Sequence, residues 1–476
     1  MPEKNIETGI AVIGAGPGGY AAAFLAADLG MDVVLIDPNK NPGGVCLYRG
    51  CIPSKTFLNA ARVMHEAAES EKWGILFSKP DIDIDKLRAW KNKVVGQLTD
   101  GLGRLSAQRK ITYIQGLARF KNERELTIET DTGATVACVF KHAIVATGSV
   151  PVKPDGLWMD TPGILDSGRA LELDDIPENL LVIGGGYIGL ELGTVYAALG
   201  SRVTVAEITP SLLPGVDKNL VSVLKRRLES LFETIALETR AHSLDIRENG
   251  IQVTLTGPGD ESKSRLFSKV LVAVGRRPNS GNIGLADAGI ETDDKGFIKI
   301  DAQCRTATPH IFAIGDVADE PMLAHKASHQ GRAAVEIISG KKTVFSPAAI
   351  PAVVFTDPEI AWAGLTEKEA RERGIDFQVA RFPWAASGRA VAIDRTEGLT
   401  KLVIENRTER ILGLGIVGPG AGEMIAEGVL AIEMGANATD LKLSIHPHPT
   451  LTETVMEAAE IFSHTATHFY RPGRRK

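Results

Sequence analysis

The stretch Ile10-Ala-Val-Ile-Gly-Ala-Gly-Pro-Gly-Gly19 decides the fold of the N-terminal part of the chain. Its apolar residues predict a short buried strand, which leads into the pattern Gly14-x-Gly16-x-x-Gly19 and a helix rich in small residues. The first glycine of such a pattern permits a tight turn, the second lets the backbone approach a pyrophosphate, and the third allows the helix to pack closely on the strand. Because a helix N-terminus favours negative charge, the stretch predicts a dinucleotide-binding unit.

The unit ends in an acid, and the chain contains a second copy of it. The next strand ends at Asp37, where a carboxylate can accept hydrogen bonds from an adenosine ribose. The same order of elements recurs from LLVIGGGYIGLELG, residues 180–193. In this copy the turn contains Gly184, Gly186 and Gly189, and the terminal acid is Glu207. The first glycine and the acid are 23 residues apart in both copies. We therefore predict two dinucleotide sites, the second preferring NAD over NADP because Glu207 would repel a 2′-phosphate.

Three further segments extend these units. VATGS (145–149), VAVGRRPN (272–279) and IFAIGD (311–316) begin as apolar strands and end in small residues, where the backbone can approach a ligand. Asp316 adds an acceptor at the end of the last of them. We predict an α/β fold with two Rossmann-like dinucleotide-binding domains. The predicted boundaries are 1–150 for the first domain, 151–277 for the second, 278–346 for a segment that completes the first site, and 347–476 for a C-terminal domain.

Composition excludes several classes of protein. A net charge of −6 argues against nucleic acid as the main partner. The apolar run 10–29 contains glycines and Pro17, which favour strand, turn and helix over a membrane span. With four cysteines the chain lacks a secreted disulfide framework, and no signal or transit peptide is recognisable. We expect a cytoplasmic protein without membrane contact, and a solvated tail at the basic run 471–476.

Two of the four cysteines lie in GGVCLYRGCIPSK, residues 43–55. In a straight helix the Cα atoms of Cys46 and Cys51 would be about 8–9 Å apart. A disulfide needs less than about 7 Å, so a bridge requires a bend, which Gly50 favours. Pro53 is well placed to start a helix, which would put Cys51 at an N-terminus that stabilises thiolate. The pattern favours a redox pair; the alternatives are a zinc site, which lacks two further ligands, and two buried structural cysteines.

A second candidate site is HPHPTLTE, residues 446–453. Glu453 follows His448 by five residues and could fix its tautomer and stabilise the imidazolium. Taken alone, a histidine before a proline is more typical of a turn than of a catalytic base. We assign no function to His446, His464 or His468.

Together these segments carry a family resemblance that spans nearly the whole chain. The chain resembles the flavin disulfide oxidoreductases and, among them, the dihydrolipoamide dehydrogenases. The matching stretches are GAGPGG, GGVCLYRGCIPSK, VATGS, GGGYIGLE, IGD, MLAHKA, VVFTDPE, FPWAASGRA and HPHPTLTE. The resemblance implies an NAD-dependent enzyme that uses FAD, oxidises protein-bound dihydrolipoyl groups and forms a homodimer through an α+β C-terminal dimerisation domain. It also implies lipoylated acyltransferase subunits or other lipoyl carriers as partners, and no metal.

The resemblance assigns roles to individual residues. Cys46 is similar to the thiol that exchanges with dihydrolipoamide, and Cys51 to the thiolate that faces the flavin. His448 matches the acid–base residue, and Glu453 the carboxylate that holds it. Lys55 is similar to a lysine near the flavin that pairs with a glutamate matching Glu191. The implied FAD contacts are Gly14, Gly16, Gly19, Asp37, Lys55, Gly116, Thr147, Gly148, Ser149, Asp316, Met322, Leu323, Ala324 and His325. The implied NAD contacts are Gly184, Gly186, Gly189, Glu191, Glu207 and Gly275.

Related activities fit the sequence less well. Glutathione reductases favour Val-Pro-Lys-Lys after the second cysteine and arginines for NADPH, whereas this chain has Ile-Pro-Ser-Lys and Glu207. Mercuric reductases carry additional C-terminal cysteines, and soluble transhydrogenases lack the first cysteine of the pair. A flavin-bound sensor has no need of the cysteine pair, Lys55 and the His448–Glu453 pattern together. The departures from the family pattern are Asp37, Tyr48, Arg49 and Pro447, of which Arg49 could alter the redox potential of the thiols.

Overall fold

The computed structural model describes residues 4–470. The predicted solvated tail at 471–476 therefore lies outside the described residues. Within residues 4–470 the chain forms five β-sheets, and two of them, one mixed and one parallel, contain the strands that lead into the glycine turns.

The N-terminal sheet surrounds the first glycine turn. It contains β1 (Lys4–Ile13), β2 (Val33–Asp37), β3 (Thr112–Asn122), β4 (Glu125–Thr130), β5 (Thr135–Val145) and β16 (Ile311–Ala313). β1 pairs in parallel with β2 and β5, and β16 pairs in parallel with β5. The chain thus returns to this sheet from far along the sequence. Two helices, α1 (Pro17–Asp28) and α8 (Ala324–Ile338), pack against each other beside it.

The strand before the second glycine turn belongs to a wholly parallel sheet. In sheet order its strands are β10 (Thr234–Ala236), β9 (Arg202–Ala206), β8 (Asn179–Ile183), β14 (Lys269–Val272) and β7 (Ile164–Leu165). Its helices are α5 (Ser167–Ala170), α6 (Tyr187–Leu199) and α7 (Lys218–Leu231). An antiparallel sheet of β11 (Arg240–Arg247), β12 (Gly250–Thr256) and β13 (Ser262–Phe267) follows. An antiparallel ribbon of β6 (Ser149–Pro151) and β15 (Arg276–Pro278) connects the units that contain the two glycine turns.

The cysteine segment begins a group of three helices that lie between the two units. These are α2 (Gly44–Arg49), α3 (Cys51–Glu69) and α4 (Ile84–Gln108). The apolar face of α3 buries Phe57, Leu58 and Ala61, and this helix packs against α6 of the second unit. The N-terminus of α3 is thereby fixed between the two predicted nucleotide sites.

The C-terminal region is an antiparallel sheet flanked by helices. In sheet order its strands are β17 (Ala352–Val354), β18 (Glu359–Gly364), β21 (Ile411–Gly418), β20 (Leu399–Glu405) and β19 (Phe377–Pro383). Its helices are α9 (Glu367–Glu372), α10 (Gly388–Ala392), α11 (Ala421–Glu433), α12 (Ala438–Leu443) and α13 (Glu453–Phe462). Its core centres on the fully buried Trp384, whose indole N–H donates to the Thr400 hydroxyl at 2.9 Å.

The predicted fold class, two dinucleotide-binding units and an α+β C-terminal part, is confirmed. The strands and helices predicted around the glycine turns form close to the predicted residues. β1 begins at Lys4, six residues earlier than the apolar pattern indicates, because residues 4–8 continue the pairing with β5 from Val136 onward. None of the helices in the described part of the chain combines the length and apolar composition that a membrane crossing needs.

Candidate active site

Both glycine turns have the geometry that a dinucleotide requires. Gly14 has φ +97°, and a Cβ there would lie 2.4 Å from the Ala146 carbonyl oxygen, so a side chain is excluded. A Cβ on Gly19 would lie 1.8 Å from the Gly14 carbonyl oxygen, which shows how closely α1 packs on the turn. A Cβ on Gly16 would meet no atom within 4 Å, so the space in front of the helix N-terminus is open. This opening fits a pyrophosphate.

The second turn is built in the same way. Gly184 has φ +109°, and a Cβ there would lie 2.5 Å from the Ala273 carbonyl oxygen. A Cβ on Gly189 would lie 2.3 Å from the Gly184 carbonyl oxygen, whereas one on Gly186 would meet no atom within 4 Å. Gly275, also assigned to this site, has φ +126° with open space around it. The backbone of this unit therefore fits a second dinucleotide.

The two terminal acids also hold equivalent positions. Oδ2 of Asp37 accepts the Ala15 amide at 2.8 Å, and Oδ1 accepts the Asn39 amide at 2.9 Å. Oε2 of Glu207 accepts the Gly185 amide at 2.6 Å, and Oε1 accepts an amide of the following loop at 2.7 Å. Both carboxylates are buried and fasten the glycine turn to the loop after the next strand. Each acid thus shapes the turn and carries negative charge to the place where the ribose would bind.

A cavity of about 390 Å³ extends from the first glycine turn to the cysteines. Most of the predicted FAD contacts line it. The predicted residues in its wall are Gly14, Gly16, Asp37, Cys46, Cys51, Lys55, Gly116, Thr147, Gly148, Ser149, Glu191, Asp316, Met322 and Ala324. Gly19, Leu323 and His325 lie outside the wall; the His325 Nε2–H donates to the Pro351 carbonyl at 2.7 Å, toward the C-terminal region.

The two thiols meet where α2 ends and α3 begins. Gly50 separates the helices with φ −145° and ψ −114°, and a Cβ there would lie 2.9 Å from the Val45 carbonyl oxygen. The predicted bend is therefore confirmed, as is the position of Cys51 at the first residue of α3. Both cysteines are thiols in this structure.

The thiols have opposite acidities. A hydrogen bond from the Cys46 thiol lowers the pKa of Cys51 to about 7 against the opposing effect of burial, and the charge of Lys55 adds to the lowering. The pKa of Cys46 is raised because its proton is held in that hydrogen bond and its surroundings are buried. Near neutral pH the reduced pair therefore carries its negative charge on Cys51, at the end of the helix that favours it.

Lys55 is held beside the thiols by an ion pair across the two units. Its Nζ donates to Glu191 Oε2 at 2.8 Å and lies 4.4 Å from the centroid of the Phe355 ring. The Phe355 amide donates to the other carboxylate oxygen of Glu191 at 3.0 Å. The predicted pairing of Lys55 with Glu191 is present. Although Glu191 was also assigned to NAD contact, its side chain is buried and directed at Lys55, in the wall of the first cavity.

Asp316 is joined to the ribbon between the units. Its Oδ2 accepts the Ser149 hydroxyl at 2.6 Å, and Arg276 donates to the same Ser149 oxygen at 2.8 Å. Nearby, the Thr147 hydroxyl donates to the Asn279 carbonyl at 2.7 Å. Arg276 and Asn279 both line the cavity, and sequence reasoning missed them. Their signal was present in VAVGRRPN, which we interpreted only as a place of backbone approach.

Tyr187 and Phe355 were also missed. Tyr187 follows the second glycine turn in sequence yet lines the first cavity. Phe355 contacts Lys55 from the C-terminal region, and nothing in its local sequence indicates that contact.

His448 and Glu453 form the predicted pair. Nδ1 of His448 lies 3.0 Å from Glu453 Oε1, and the Thr450 amide donates to Glu453 Oε2 at 2.8 Å. Partial burial raises the pKa of Glu453, but the Thr450 amide and His448 hold it below its ordinary value. The His448 side chain is 72% exposed, so its second nitrogen is open to an approaching group. Neither residue lines the cavity that contains the cysteines of the same chain.

Comparison with known proteins agrees with this geometry. Residues 8–331 match the family model described as pyridine nucleotide-disulphide oxidoreductase, and residues 350–459 match the dimerisation domain of that family. The dihydrolipoyl dehydrogenase of Vibrio cholerae is 47% identical over 98% of this chain and 97% of its own length. The dihydrolipoyl dehydrogenase of Geobacillus stearothermophilus is 44% identical over 97% of this chain and 98% of its own.

Solved structures show the same fold. LpdA from Mycobacterium tuberculosis has a TM-score of 0.89 at 25% identity, covering 96% of this chain and 99% of the other. The HOCl-induced flavoprotein disulfide reductase RclA from Escherichia coli has a TM-score of 0.83 at 28% identity, covering 94% and 98%. With both family models matched and relatives this similar over nearly its full length, the chain belongs to the pyridine nucleotide-disulphide oxidoreductase family.

Proposed function

We propose that this protein is a dihydrolipoyl dehydrogenase, which oxidises protein-bound dihydrolipoyl groups and passes the electrons through FAD to NAD⁺ to give NADH. The observation that carries the proposal is the acidic Cys51 thiol at the start of α3, beside the Lys55–Glu191 ion pair and in the wall of the cavity at the first glycine turn. The full-length relatives named dihydrolipoyl dehydrogenase support the same activity.

The cysteines perform the thiol chemistry. In the oxidised enzyme, a dihydrolipoyl thiolate attacks the Cys46 sulfur of a Cys46–Cys51 disulfide; that bond breaks, and Cys51 leaves as the thiolate. The second dihydrolipoyl thiol loses its proton to His448 and attacks the substrate sulfur of the mixed disulfide, which releases Cys46 and completes the lipoyl disulfide. Two electrons and two protons leave the substrate: the electrons pass to the cysteine pair, one proton is held by His448, and the proton that the first thiol loses on ionising is returned from solvent to the released Cys46 sulfur. The low pKa of Cys51 makes it the better leaving group in the first step.

Bound FAD would supply the two-electron carrier between the thiols and NAD⁺. The residues that would hold FAD are the first glycine turn, Asp37, the Lys55 ammonium and Asp316 with its Ser149 partner. The second glycine turn and Glu207 would hold NAD. Lys55 stabilises negative charge between the thiols and the flavin site, and Glu191 keeps the ammonium directed there.

The acid–base residue is proposed to come from the other subunit. The chain carries a dimerisation domain. His448 is exposed and held by Glu453 at the edge of that region, and it lies outside the cysteine cavity of its own chain. A general base must come within about 3 Å, or one water, of the thiol that it deprotonates. In a two-fold dimer each chain can donate its histidine to the other, giving two equivalent sites.

We also propose the finer partners and location. The dihydrolipoyl groups are expected to be carried by lipoylated acyltransferase subunits of 2-oxo acid dehydrogenase complexes, in the cytoplasm. Capture of lipoylated proteins from the source cell identifies which complex is served.

The activity is tested by turnover of the purified protein. We expect it to be yellow, to release FAD on denaturation and to form NADH from dihydrolipoamide and NAD⁺. A folded protein that cannot be loaded with FAD, or an FAD-loaded one without dihydrolipoamide oxidation, would overturn the proposal.

The shared site is tested by complementation. A Cys51→Ser protein is mixed with a His448→Ala protein under conditions that exchange subunits. In a shared arrangement each mixed dimer has one doubly altered site and one intact site, so an equal mixture should recover roughly a quarter of the wild-type sites. No recovery after demonstrated exchange would mean that His448 serves its own chain.

A further inference from the structure

The His448–Glu453 pair is the middle one of three histidine–glutamate pairs. On one side, the His446 ring contacts Glu427 Oε1 through Nε2 and the Ser444 carbonyl through Nδ1, both at 2.8 Å. On the other side, Nδ1 of His468 lies 2.5 Å from Glu457 Oε1. Sequence reasoning gave neither flanking histidine a function.

Helix α13 links the pair of His468 and Glu457 to the pair of His448 and Glu453. Glu457 follows Glu453 by four residues, so both carboxylates lie on one face of that helix. The Glu457 side chain is only 3% exposed, and burying a carboxylate is costly unless a partner offsets its charge. That partner comes from the segment 463–470, which we call the return segment because it folds back along α13.

The return segment is also anchored independently of His468. Ala466 and Phe469 pack against the core of the C-terminal region. The Thr465 amide donates to the Glu460 carbonyl at 2.9 Å, and the Thr467 amide donates to the Glu460 carboxylate at 3.3 Å. Removing the His468 ring therefore leaves several contacts that hold the segment in place.

We infer that the return segment is a positioning element for the acid–base pair: His468 offsets the buried Glu457 charge, so that Glu457 adds little negative charge at Glu453 and His448. The inference rests on the proposed function of His448. His468 and Glu457 act through Glu453 and do not touch the substrate, so they are positioning residues.

The charges around the pair are consistent with this role. The pKa of His468 is raised mainly by its hydrogen bond to Glu457, and the charges of Glu453 and Glu460 add to the rise. His468 in turn contributes to the lowered pKa of Glu453. Burial and the charge of Glu457 raise the pKa of Glu460, on the next turn of α13. From the neighbouring helices, Glu427 on α11 is compensated by His446, and Lys442 on α12 acts on Glu460.

The sign of the charge makes the inference testable. In His468→Ala, the Glu457 carboxylate has no counter-charge and adds negative charge near the His448–Glu453 pair. We therefore expect the pKa of His448 to rise by about half a unit, a threefold change in proton affinity. In the double variant Glu457→Gln/His468→Ala both charges are absent, and the pKa should return to the wild-type value. Glu457→Gln alone removes the main group that keeps His468 protonated, so its effect should be smaller than that of His468→Ala and of the opposite sign. His464→Asn is the matched control, because His464 lies in the same segment with φ +58°, which asparagine tolerates.

Two measurements read the result. Deuterium exchange at the imidazole C2 position, followed by mass spectrometry of peptides from the FAD-loaded dimer, gives the pKa of His448 without turnover. The acid limb of the pH profile of kcat/KM should shift upward in His468→Ala and return in the double variant.

An unchanged His448 pKa in His468→Ala would overturn the inference. So would a shift that persists in the double variant, because displacement of the segment, rather than charge, would then be its cause. If the wild-type enzyme did not oxidise dihydrolipoamide, the proposed function would fail while the exchange measurement still decided the charge coupling.

Discussion

The acidity of Cys51 should respond in opposite directions to the two members of one ion pair. Lys55 lowers the pKa of Cys51, and Glu191 raises it. The two are joined at 2.8 Å, so a variant of either one leaves the other charge in the wall of the cavity. Lys55→Met should therefore make the thiol less acidic, and Glu191→Gln should make it more acidic.

The size of the effect follows from the helix geometry. Lys55 is four residues after Cys51, so the two lie on one face of α3 with Cβ atoms about 5–6 Å apart. At about 6 Å and an effective dielectric constant of about 20–40, two unit charges interact by roughly 1.4–2.8 kcal/mol, or about one to two pKa units. Because the Lys55 side chain is 31% exposed, the lower figure applies. We expect the pKa of Cys51, about 7 in the native protein, to rise by about one unit in Lys55→Met.

The assay is the rate of alkylation of Cys51 by iodoacetamide against pH in the reduced, FAD-loaded enzyme, quantified by peptide mass spectrometry. Arg62→Met is the control, since Arg62 is an exposed cation on the same helix, remote from the cavity. Its titration curve should match the native curve. Shifts of the same sign in Lys55→Met and Glu191→Gln would refute the electrostatic account, as would a Lys55→Met curve that superimposes on the control.

Three further outcomes are expected. Cys46→Ser should lose dihydrolipoamide turnover yet keep a long-wavelength absorption band on reduction, because Cys51 still faces the flavin site; normal turnover would show that Cys46 is not the exchanging thiol. NAD⁺ should exceed NADP⁺ in kcat/KM by at least about a hundredfold, since a buried carboxylate opposite a phosphate costs several kcal/mol; equal constants would contradict the role of Glu207. Lys401→Met should lower the free energy of unfolding in urea by about 3 kcal/mol, because the buried Lys401 ammonium donates to Glu367 at 3.0 Å and to Asp217. Burial alone would raise the pKa of Glu367, but Arg381 and Lys401 lower it to about 2 from an ordinary 4.5. The stabilisation by this network should therefore be complete above pH 4.5 and lost as the pH falls toward 2. A native-like unfolding curve for Lys401→Met would count against the network.

The parts of the site that could be predicted from sequence are those formed by neighbouring residues. Each glycine turn is a local backbone requirement, and the terminal acid is placed by one strand–helix–strand unit. The bend at Gly50 likewise follows from the reach of a disulfide. His448 and Glu453 meet because only five residues separate them.

The missed contacts join segments far apart in the chain. Phe355 reaches Lys55 from the C-terminal region, and Arg276 reaches Ser149 through pairing of β6 with β15. His468 reaches Glu457 because the chain reverses after α13. No periodicity or spacing encodes such meetings, since they depend on how separately formed units pack. The Lys55–Glu191 pair also joins distant segments, and it was predicted only from the family resemblance.

Helix α6 explains how two copies of one unit can serve a single reaction. Its N-terminus follows Gly186 of the second glycine turn, where the pyrophosphate of the second nucleotide would bind. Its side carries Tyr187 and Glu191 into the wall of the first cavity, where Glu191 holds the lysine beside the thiols. A displacement of this helix would therefore disturb the second nucleotide turn and the Lys55–Glu191 pair together. The packing of α3 against α6 fixes the position of the thiols relative to the second glycine turn, so the proposed transfer from the thiols to the second nucleotide depends on the interface between the units.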